Sequence, residues 1–440
     1  MSFTDADRRV WVVIIAVSLI GLLFIPFSQF ALGVTYSYTL RVVALGGAIL
    51  GTVSGVLGCF AVLRRESLMG DALSHAALPG VAIAFLFVGR DLSSLLIGAG
   101  IASWLGVQFI HAILSTTRIK QDTAMGITLA AWFAAGIALL AYIQARSDAS
   151  QAGLDSFIFG QAAAIVASDV QLISIVGAIA FVILALFWKE FKLITFDAEF
   201  AGANGFRVGF INVMLSTLIV VAIVLGLQLA GVILMVGMLI APGIAARQWT
   251  HKLTQMVILS GIFGAFAGSV GAILSAIDSD IPTGPMIIVV AFGIVVISIT
   301  LAPERGLLWT SLRQRRDRRR FAAQTTLRDL YKYTQSHGDD RYPIPKTFIA
   351  GISSNTSLGL KQLEKNAAIQ DQGTAWIITQ HGIEMAQDDV RNQQLWDVYR
   401  EYNDELDIPL VMEDRQRNIH EVLSASAIEK LTRKHKGLTD

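Results

Sequence analysis

Long apolar stretches, joined by short polar links, make up this chain as far as about Pro303. A membrane-spanning helix needs roughly 20 mainly apolar residues. Stretches that approach this length lie at residues 10–27, 39–63, 68–88, 92–114, 123–143, 170–188, 209–227, 229–246, 254–276 and 284–301. Only LQLAG separates the seventh from the eighth, and the segment from Gly70 to Pro79 interrupts the third. We therefore expect an all-α polytopic membrane unit with nine or ten transmembrane helices.

Charged residues are scarce and unevenly placed. They make up 16% of the 440 residues, against about 25% in ordinary soluble chains. Basic residues gather in alternate links, such as Arg64–Arg65 and the run Arg313–Arg320, and the opposite links are poor in them. Because basic links stay on the cytoplasmic side, both termini are expected there. The single cysteine, Cys59, excludes a disulfide framework and a cysteine-based metal site.

The third stretch contains MGDALSHAALPG, which places Asp71 and His75 four residues apart among apolar residues. On a helix, residues at this spacing share one face. Ionisable groups inside a span are costly and mark ion routes, and a carboxylate with an imidazole suits Mn, Fe(II) or Zn. Two structural alternatives remain open at this point. Asp71 could cap a helix after a break at Gly70, or lie only shallowly buried near the membrane surface marked by Arg64.

The segment LRRESLMGDALSHAALPGVAIAFLF closely resembles the signature of the ABC-3 type permeases of bacterial manganese, zinc and iron transporters. SFIFGQAAAIVASDV, with Phe159, Gly160 and Asp169, resembles a further link of that family. FDAEFAGANGFRVG, LAGVILMVGMLIAPGIAA and DIPTGPMIIV also match in order, so the resemblance covers about residues 39–303. The family implies an ABC importer permease fold in the bacterial inner membrane.

The resemblance also implies roles for individual residues. Asp71 and His75 match the Asp and His of the family signature and are expected to coordinate the transported ion, which is Mn, Zn or Fe. No permanently bound cofactor is expected. The expected partners are an ABC ATPase, a periplasmic or lipid-anchored metal-binding protein, and a second permease subunit in a homodimer or heterodimer.

The link KEFKLITFDAEFAGANGFRVG resembles the family's coupling loop, which docks on the ATPase. The residues of this chain that the resemblance places in the loop are Asp197, Glu199, Ala201, Gly202 and Gly205. Small residues permit close approach, and Glu199 could pair with a basic residue of the partner. A solvated loop is the alternative reading, but the neighbouring phenylalanines favour an interface.

No G-x-x-x-x-G-K-[ST] phosphate-binding loop occurs in the sequence. We therefore expect a transport subunit that is not an enzyme, with ATP hydrolysis on a separate chain. Two other functions stay open. One is a membrane-anchored, metal-responsive transcriptional regulator, and the other is a proton-coupled secondary metal transporter.

The composition changes after the arginine run, which suggests three regions: a permease at 1–310, a basic linker at 311–324, and a cytoplasmic domain at 325–440. The last region resembles the winged-helix and dimerisation part of the diphtheria-toxin-repressor family, which implies an α+β fold. The residues that carry this resemblance include Leu360, Leu363, Trp376, Thr379, Gly382, Ala386, Arg391, Leu395, Trp396 and Tyr399.

Regulator activity is not expected to accompany this resemblance. Gln393 stands where that family has a histidine, and Ile419 precedes His420 where a Glu-His pair is expected, so most metal ligands are missing. Residues 321–440 also hold more acidic than basic residues, and duplex binding relies on basic phosphate contacts. We expect a partner-binding or dimerisation module, with nucleic acid an unlikely partner.

Overall fold

A computed structural model describes residues 5–89, 91–145, 165–278, 280–303, 305–350, 356–411 and 418–439. The chain divides into two compact units, Met1–Trp309 and Thr310–Asp440. The motif residues Phe159 and Gly160 lie outside the described residues.

The first unit is a helical bundle. Within the described residues, nine of its helices are long and apolar enough to cross a membrane, in agreement with the expected nine or ten spans. The helices of this unit are α1 (Asp5–Ala31), α2 (Tyr38–Leu63), α3 (Ser67–Val88), α4 (Leu92–Thr116), α5 (Gln121–Gln144), α6 (Ala167–Leu186), α7 (Trp188–Phe196), α8 (Ala198–Ala203), α9 (Val208–Trp249), α10 (Leu253–Ser275) and α11 (Thr283–Leu301).

Close packing of α2 against α10 forms the centre of this bundle. A Cβ atom added to Gly51 or to Gly264 would overlap the backbone carbonyl of the other glycine. One helical turn away from this contact, the Ser260 hydroxyl of α10 donates a hydrogen bond of 2.6 Å to the carbonyl oxygen of Gly55 of α2. Small residues let helix backbones approach in this way inside a membrane, where lipid offers no hydrophobic driving force between helices.

Helix α9 is bent sharply at Gly231, whose φ of 75° and ψ of 171° are not helical. Nine residues of straight helix would span about 13.5 Å, yet a Cβ at Gly226 would collide with the sulfur of Met235. The chain therefore turns between these two residues. Beyond the turn, Leu239 packs against Gly58 of α2. The expected seventh and eighth stretches are thus two helical segments that meet at Gly231.

The second unit contains most of α12 (Leu307–Ser336) and a small antiparallel sheet with strand order β1-β3-β2. Ile344 and Asp371 both align with Trp376 of the central strand. The remaining elements are β1 (Ile344–Pro345), α13 (Lys346–Ala350), α14 (Thr356–Lys365), β2 (Ile369–Asp371), β3 (Ala375–Ile378), α15 (Gln380–Tyr402), α16 (Ile419–Val422) and α17 (Ala425–Thr439).

Two apolar clusters hold the second unit together. Leu330, Leu363 and Ile378 belong to the cluster that joins α12, α14 and the sheet. Trp396 and Leu431, both fully buried, belong to the cluster that joins α15 to the C-terminal helices.

Two expectations differ from the structure, and a third gains detail from it. The third span is a continuous helix through Gly70 and Pro79, so the expected interruption is wrong. It follows that Asp71 lies in the second turn of α3, and the alternative that it caps a helix is wrong as well. The basic segment 311–324 is helical and belongs to α12.

Candidate functional site

Helix α3 brings Asp71 and His75 together on one face, as their spacing predicts. His75 Nε2 lies 3.4 Å from Asp71 Oδ1, with the side chains 20% and 38% exposed respectively. Leu68 and Leu86, at helical spacing on the same face, are also exposed. The pair is therefore a polar spot on a partly uncovered, otherwise apolar face of a span.

The imidazole of His75 is held by its surroundings and keeps one nitrogen free. Its ring meets Phe133 of α5 edge-on, with centroids 4.9 Å apart. Within the described residues, its Nδ1 is buried and has no hydrogen-bond partner. Pro79 has no N–H, so the usual helical hydrogen bond to the carbonyl of His75, four residues earlier, cannot form. Among the described residues, Nδ1 is thus unpaired, and the carbonyl of His75 lacks the hydrogen bond that a residue other than proline would donate at position 79.

Contacts with α4 and α5 fix the position of α3. The Ser103 hydroxyl of α4 donates a hydrogen bond of 2.9 Å to the carbonyl of Leu73. Gly80 and Gly98 meet so closely that a Cβ on either would overlap the backbone of the other. A Cβ on Gly136 of α5 would lie 2.7 Å from the Cβ of Leu78. The acid–imidazole pair therefore stands on a rigid support.

Within the residues that the structure describes, no group of three or more His, Cys, Asp or Glu side chains could hold a metal ion. A metal ion bound at Asp71 and His75 would have two side-chain ligands there. Any further ligand from the described part of this chain has to be a backbone carbonyl or a neutral side chain.

A buried charged network between α2 and α3 was not expected from the sequence. Glu66, only 3% exposed, lies 2.8 Å from Arg64 Nη2 and accepts a hydrogen bond of 2.7 Å from Gln121. Arg64 also donates to Asn212 Oδ1 at 3.0 Å. The charges of Glu66 and Arg64 both act on His111 of α4. Four separate helices or links therefore meet at one ion pair.

The segment around residues 196–205, which was expected to dock on the ATPase, is compact and carries exposed aromatic residues. The carboxylate of Asp197 caps α8 by accepting a hydrogen bond of 2.8 Å from the backbone N–H of Phe200. Ala201 is fully buried, and Gly205 has a φ of 84°, which favours glycine because a side chain is strained there.

Around this segment, Glu199 and Gly202 are exposed. The side chains of Phe196 and Phe200 are 61% and 55% exposed, so their apolar area is not buried by the rest of this chain. Large contiguous apolar patches mark protein or membrane contact sites, and these two side chains are candidates for part of one.

The described residues form a bundle with nine candidate spans and carry an acid–imidazole pair on one of them, which defines a multi-spanning helical membrane protein. The chain belongs to the ABC 3 transport family, whose sequence model matches residues 35–302.

Curated relatives and a solved structure agree with this assignment. Over 369 residues the chain is 42% identical to the manganese transport system membrane protein MntC of Bacillus subtilis (strain 168), covering 83% of this chain and 84% of the relative. Over 280 residues it is 45% identical to the zinc transport system membrane protein TroC of Treponema pallidum (strain Nichols), covering 63% and 94%. The structure of PsaBC from Streptococcus pneumoniae in complex with Fab matches at 33% identity and a TM-score of 0.55, covering 64% of this chain and 97% of that chain.

The family assignment makes the chain a transporter subunit that spans the membrane and is not an enzyme, with ATPase activity on a separate subunit. The alignment with the Bacillus relative spans too many residues to end at residue 302. Part of the second unit is therefore shared with that relative.

Proposed function

We propose that this chain is the permease subunit of an ABC importer that carries a divalent transition metal, manganese or zinc, across the bacterial inner membrane. The observation that carries the proposal is the pair of Asp71 and His75 on one face of α3, within the region that the family model matches. Relatives named for manganese and for zinc support the choice of cargo. The ligand types also suit Fe(II), so iron is the third metal to be measured.

In the proposed mechanism, Asp71 supplies a carboxylate oxygen and His75 a ring nitrogen to the passing ion. The side chain of Asp71 is 38% exposed in this chain, and a charged group that faces lipid is costly. A second permease subunit that covers this face would remove that cost and could complete the ligand set. The separate metal-binding protein delivers the ion from outside.

The link between transport and ATP hydrolysis is proposed to run through Asp197, Glu199, Ala201, Gly202 and Gly205. The exposed aromatic side chains of Phe196 and Phe200 support a docking surface in this segment. Basic links at alternate ends of the spans support a cytoplasmic location for it and for the C-terminal unit.

For the second unit we propose a winged-helix-like module at 325–440 that binds a protein partner or dimerises, with 1–310 as the permease. The order helix, strand, two helices and a two-strand hairpin, followed by the long helix α15, supports this reading. The acidic balance of residues 321–440 opposes a role in DNA binding.

Elemental analysis of cells tests the proposed function. The permease is expressed with its ATPase and metal-binding protein in cells that lack their own manganese and zinc importers. Asp71→Ala and His75→Ala are compared with Asp122→Ala, an exposed acidic residue in the first turn of α5, at equal membrane abundance. We expect the cells to accumulate one metal. The accumulation should be lost with Asp71→Ala and with His75→Ala and kept with Asp122→Ala.

Three outcomes would contradict parts of the proposal. Uptake that survives both Asp71→Ala and His75→Ala would show that the pair is structural. Uptake that continues when the ATPase carries an inactivating change would favour a proton-coupled secondary transporter. Metal-dependent changes in transcription without any metal accumulation would favour the anchored regulator.

A further inference from the structure

The second unit contains a cavity of about 640 Å³ whose wall is rich in arginine. Helices α12, α14 and α15 enclose it. Four of the arginines that line it, Arg315, Arg316, Arg319 and Arg320, come from the basic run at the start of α12, and Arg328 follows two turns later. The cavity has the size of a small-molecule site, for which volumes of about 300–1,000 Å³ are typical.

The charges around this cavity do not balance. Asp389, the acidic residue of the wall, is engaged by Arg328, whose Nη2 and Nε donate to Asp389 Oδ2 at 2.7 and 3.0 Å. In the part of the chain that the structure describes, the guanidinium groups of the other four arginines have no hydrogen bond or ion pair to another group. Several positive charges therefore face one cavity without counter-ions.

The spacing of these arginines suits a compact anion with several oxygens. Residues 315 and 320 are five positions apart, so the Cα atoms that carry the four arginine side chains span about 7.5 Å along the helix axis. Arginine binds phosphate oxygens through two parallel N–H donors. The opposite wall offers the amides of Gln362 and Asn366 and the apolar side chain of Leu363.

The same geometry argues against duplex DNA as the occupant. Gln362 of α14 and Asn366, which follows the end of that helix, are polar residues that border the cavity, and the Gln362 amide donates a hydrogen bond of 3.1 Å to Asn366 Oδ1. Both side chains therefore border the cavity that α12 faces. If α14 were a DNA-recognition helix, these side chains would have to contact the edges of bases instead. A concave wall of this size holds a small molecule.

We propose that this cavity is a binding site for a compact anion with two or more phosphate groups, either free in the cytoplasm or as the headgroup of an anionic lipid. The site is independent of the Asp71–His75 pair and goes beyond metal transport. It would give the second unit a ligand that reports on phosphate metabolites or on the membrane surface.

Binding of inorganic pyrophosphate to the full-length protein tests the proposal. The protein is placed in nanodiscs of uncharged phosphatidylcholine, and binding is followed by calorimetry. The variant Arg315→Gln with Arg319→Gln removes two charges from the cavity wall. The matched control, Arg313→Gln with Arg318→Gln, removes two charges from the same run at positions outside that wall. Melting temperatures of all three proteins establish that they are folded.

We expect saturable binding of pyrophosphate to the parent protein. The affinity should fall about tenfold or more in the cavity variant and less than about twofold in the control. Equal weakening in both variants would overturn the proposal, because it would reveal only a general basic field. The proposal would also be overturned if the parent protein showed no saturable binding in either uncharged or anionic nanodiscs and the cavity retained no lipid.

Nanodiscs with cardiolipin, a lipid whose headgroup carries two phosphates, distinguish the two sources of phosphate. If a lipid headgroup is the occupant, anionic nanodiscs compete with pyrophosphate, and native mass spectrometry finds the lipid retained by the parent protein and lost from the cavity variant. If the occupant is a free metabolite, the affinity for pyrophosphate is the same in both nanodiscs.

Discussion

The buried ion pair between Arg64 and Glu66 makes a sharp prediction about stability. Glu66 is 3% exposed and Arg64 13% exposed, and the pair also receives Gln121 and reaches Asn212. Glu66→Gln keeps the shape and one acceptor oxygen but removes the negative charge. The guanidinium of Arg64 is then left in a largely buried position without its counter-ion.

The expected cost follows from this geometry. Removing one partner of a buried pair typically costs about 3–5 kcal/mol. Arg64 keeps its hydrogen bond to Asn212, so we expect the lower end, about 3 kcal/mol, which is roughly a 100-fold change in the folding equilibrium. Arg64→Gln leaves Glu66 uncompensated and should cost a similar amount. The double variant should cost clearly less than the two single changes together.

Unfolding of the protein in mixed detergent micelles measures these free energies. The coupling energy between Arg64 and Glu66 should reach about 1.5 kcal/mol or more. The pair Arg400–Asp397 serves as a control, because its side chains are 64% and 52% exposed, and its coupling should stay below about 0.5 kcal/mol. Coupling of Arg64 and Glu66 no larger than in this control would refute the reasoning.

The structure also decides the direction in which two further substitutions change the stability of the protein. Gly264→Ala should lower the melting temperature because its Cβ would overlap the backbone of α2, whereas Gly126→Ala meets nothing within 4 Å and should leave the temperature unchanged or raise it; equal effects would contradict this. In the second unit, hydrogen bonds from Lys346 and from a backbone N–H lower the pKa of Asp371. This stabilisation is present above the unfolded-state pKa of about 3.9 and is lost as the pH falls through the folded-state value. Asp371→Asn should therefore flatten the acid limb of unfolding followed by tryptophan fluorescence, and an unchanged limb would contradict it.

Local patterns in the sequence were sufficient for part of the fold and of the candidate site. Each span follows from its own run of apolar residues, since a helix in lipid satisfies its backbone hydrogen bonds internally. The shared face of Asp71 and His75 follows from a spacing of four residues, because the helical period is a local property of the backbone. Their roles as metal ligands stay a prediction.

Contacts between distant residues could not be predicted in this way. Glu66 and Gln121 are 55 positions apart, and Arg64 and Asn212 are 148 apart. No local period links such residues, and only the choice of neighbouring helices and their crossing angles brings them together. The missed ion pair could have been suspected from one signal, a glutamate followed at once by a membrane span.

The arginine run illustrates the same division. The sequence by itself determined that Arg313–Arg320 would be basic, exposed and close after the last span. Only the tertiary structure decided that Arg315 and Arg319 line a cavity with Gln362 of α14, whereas Arg313 does not. Charge and hydropathy are carried by each residue alone, but a binding site needs several side chains at fixed distances, and those distances exist only once the helices have packed.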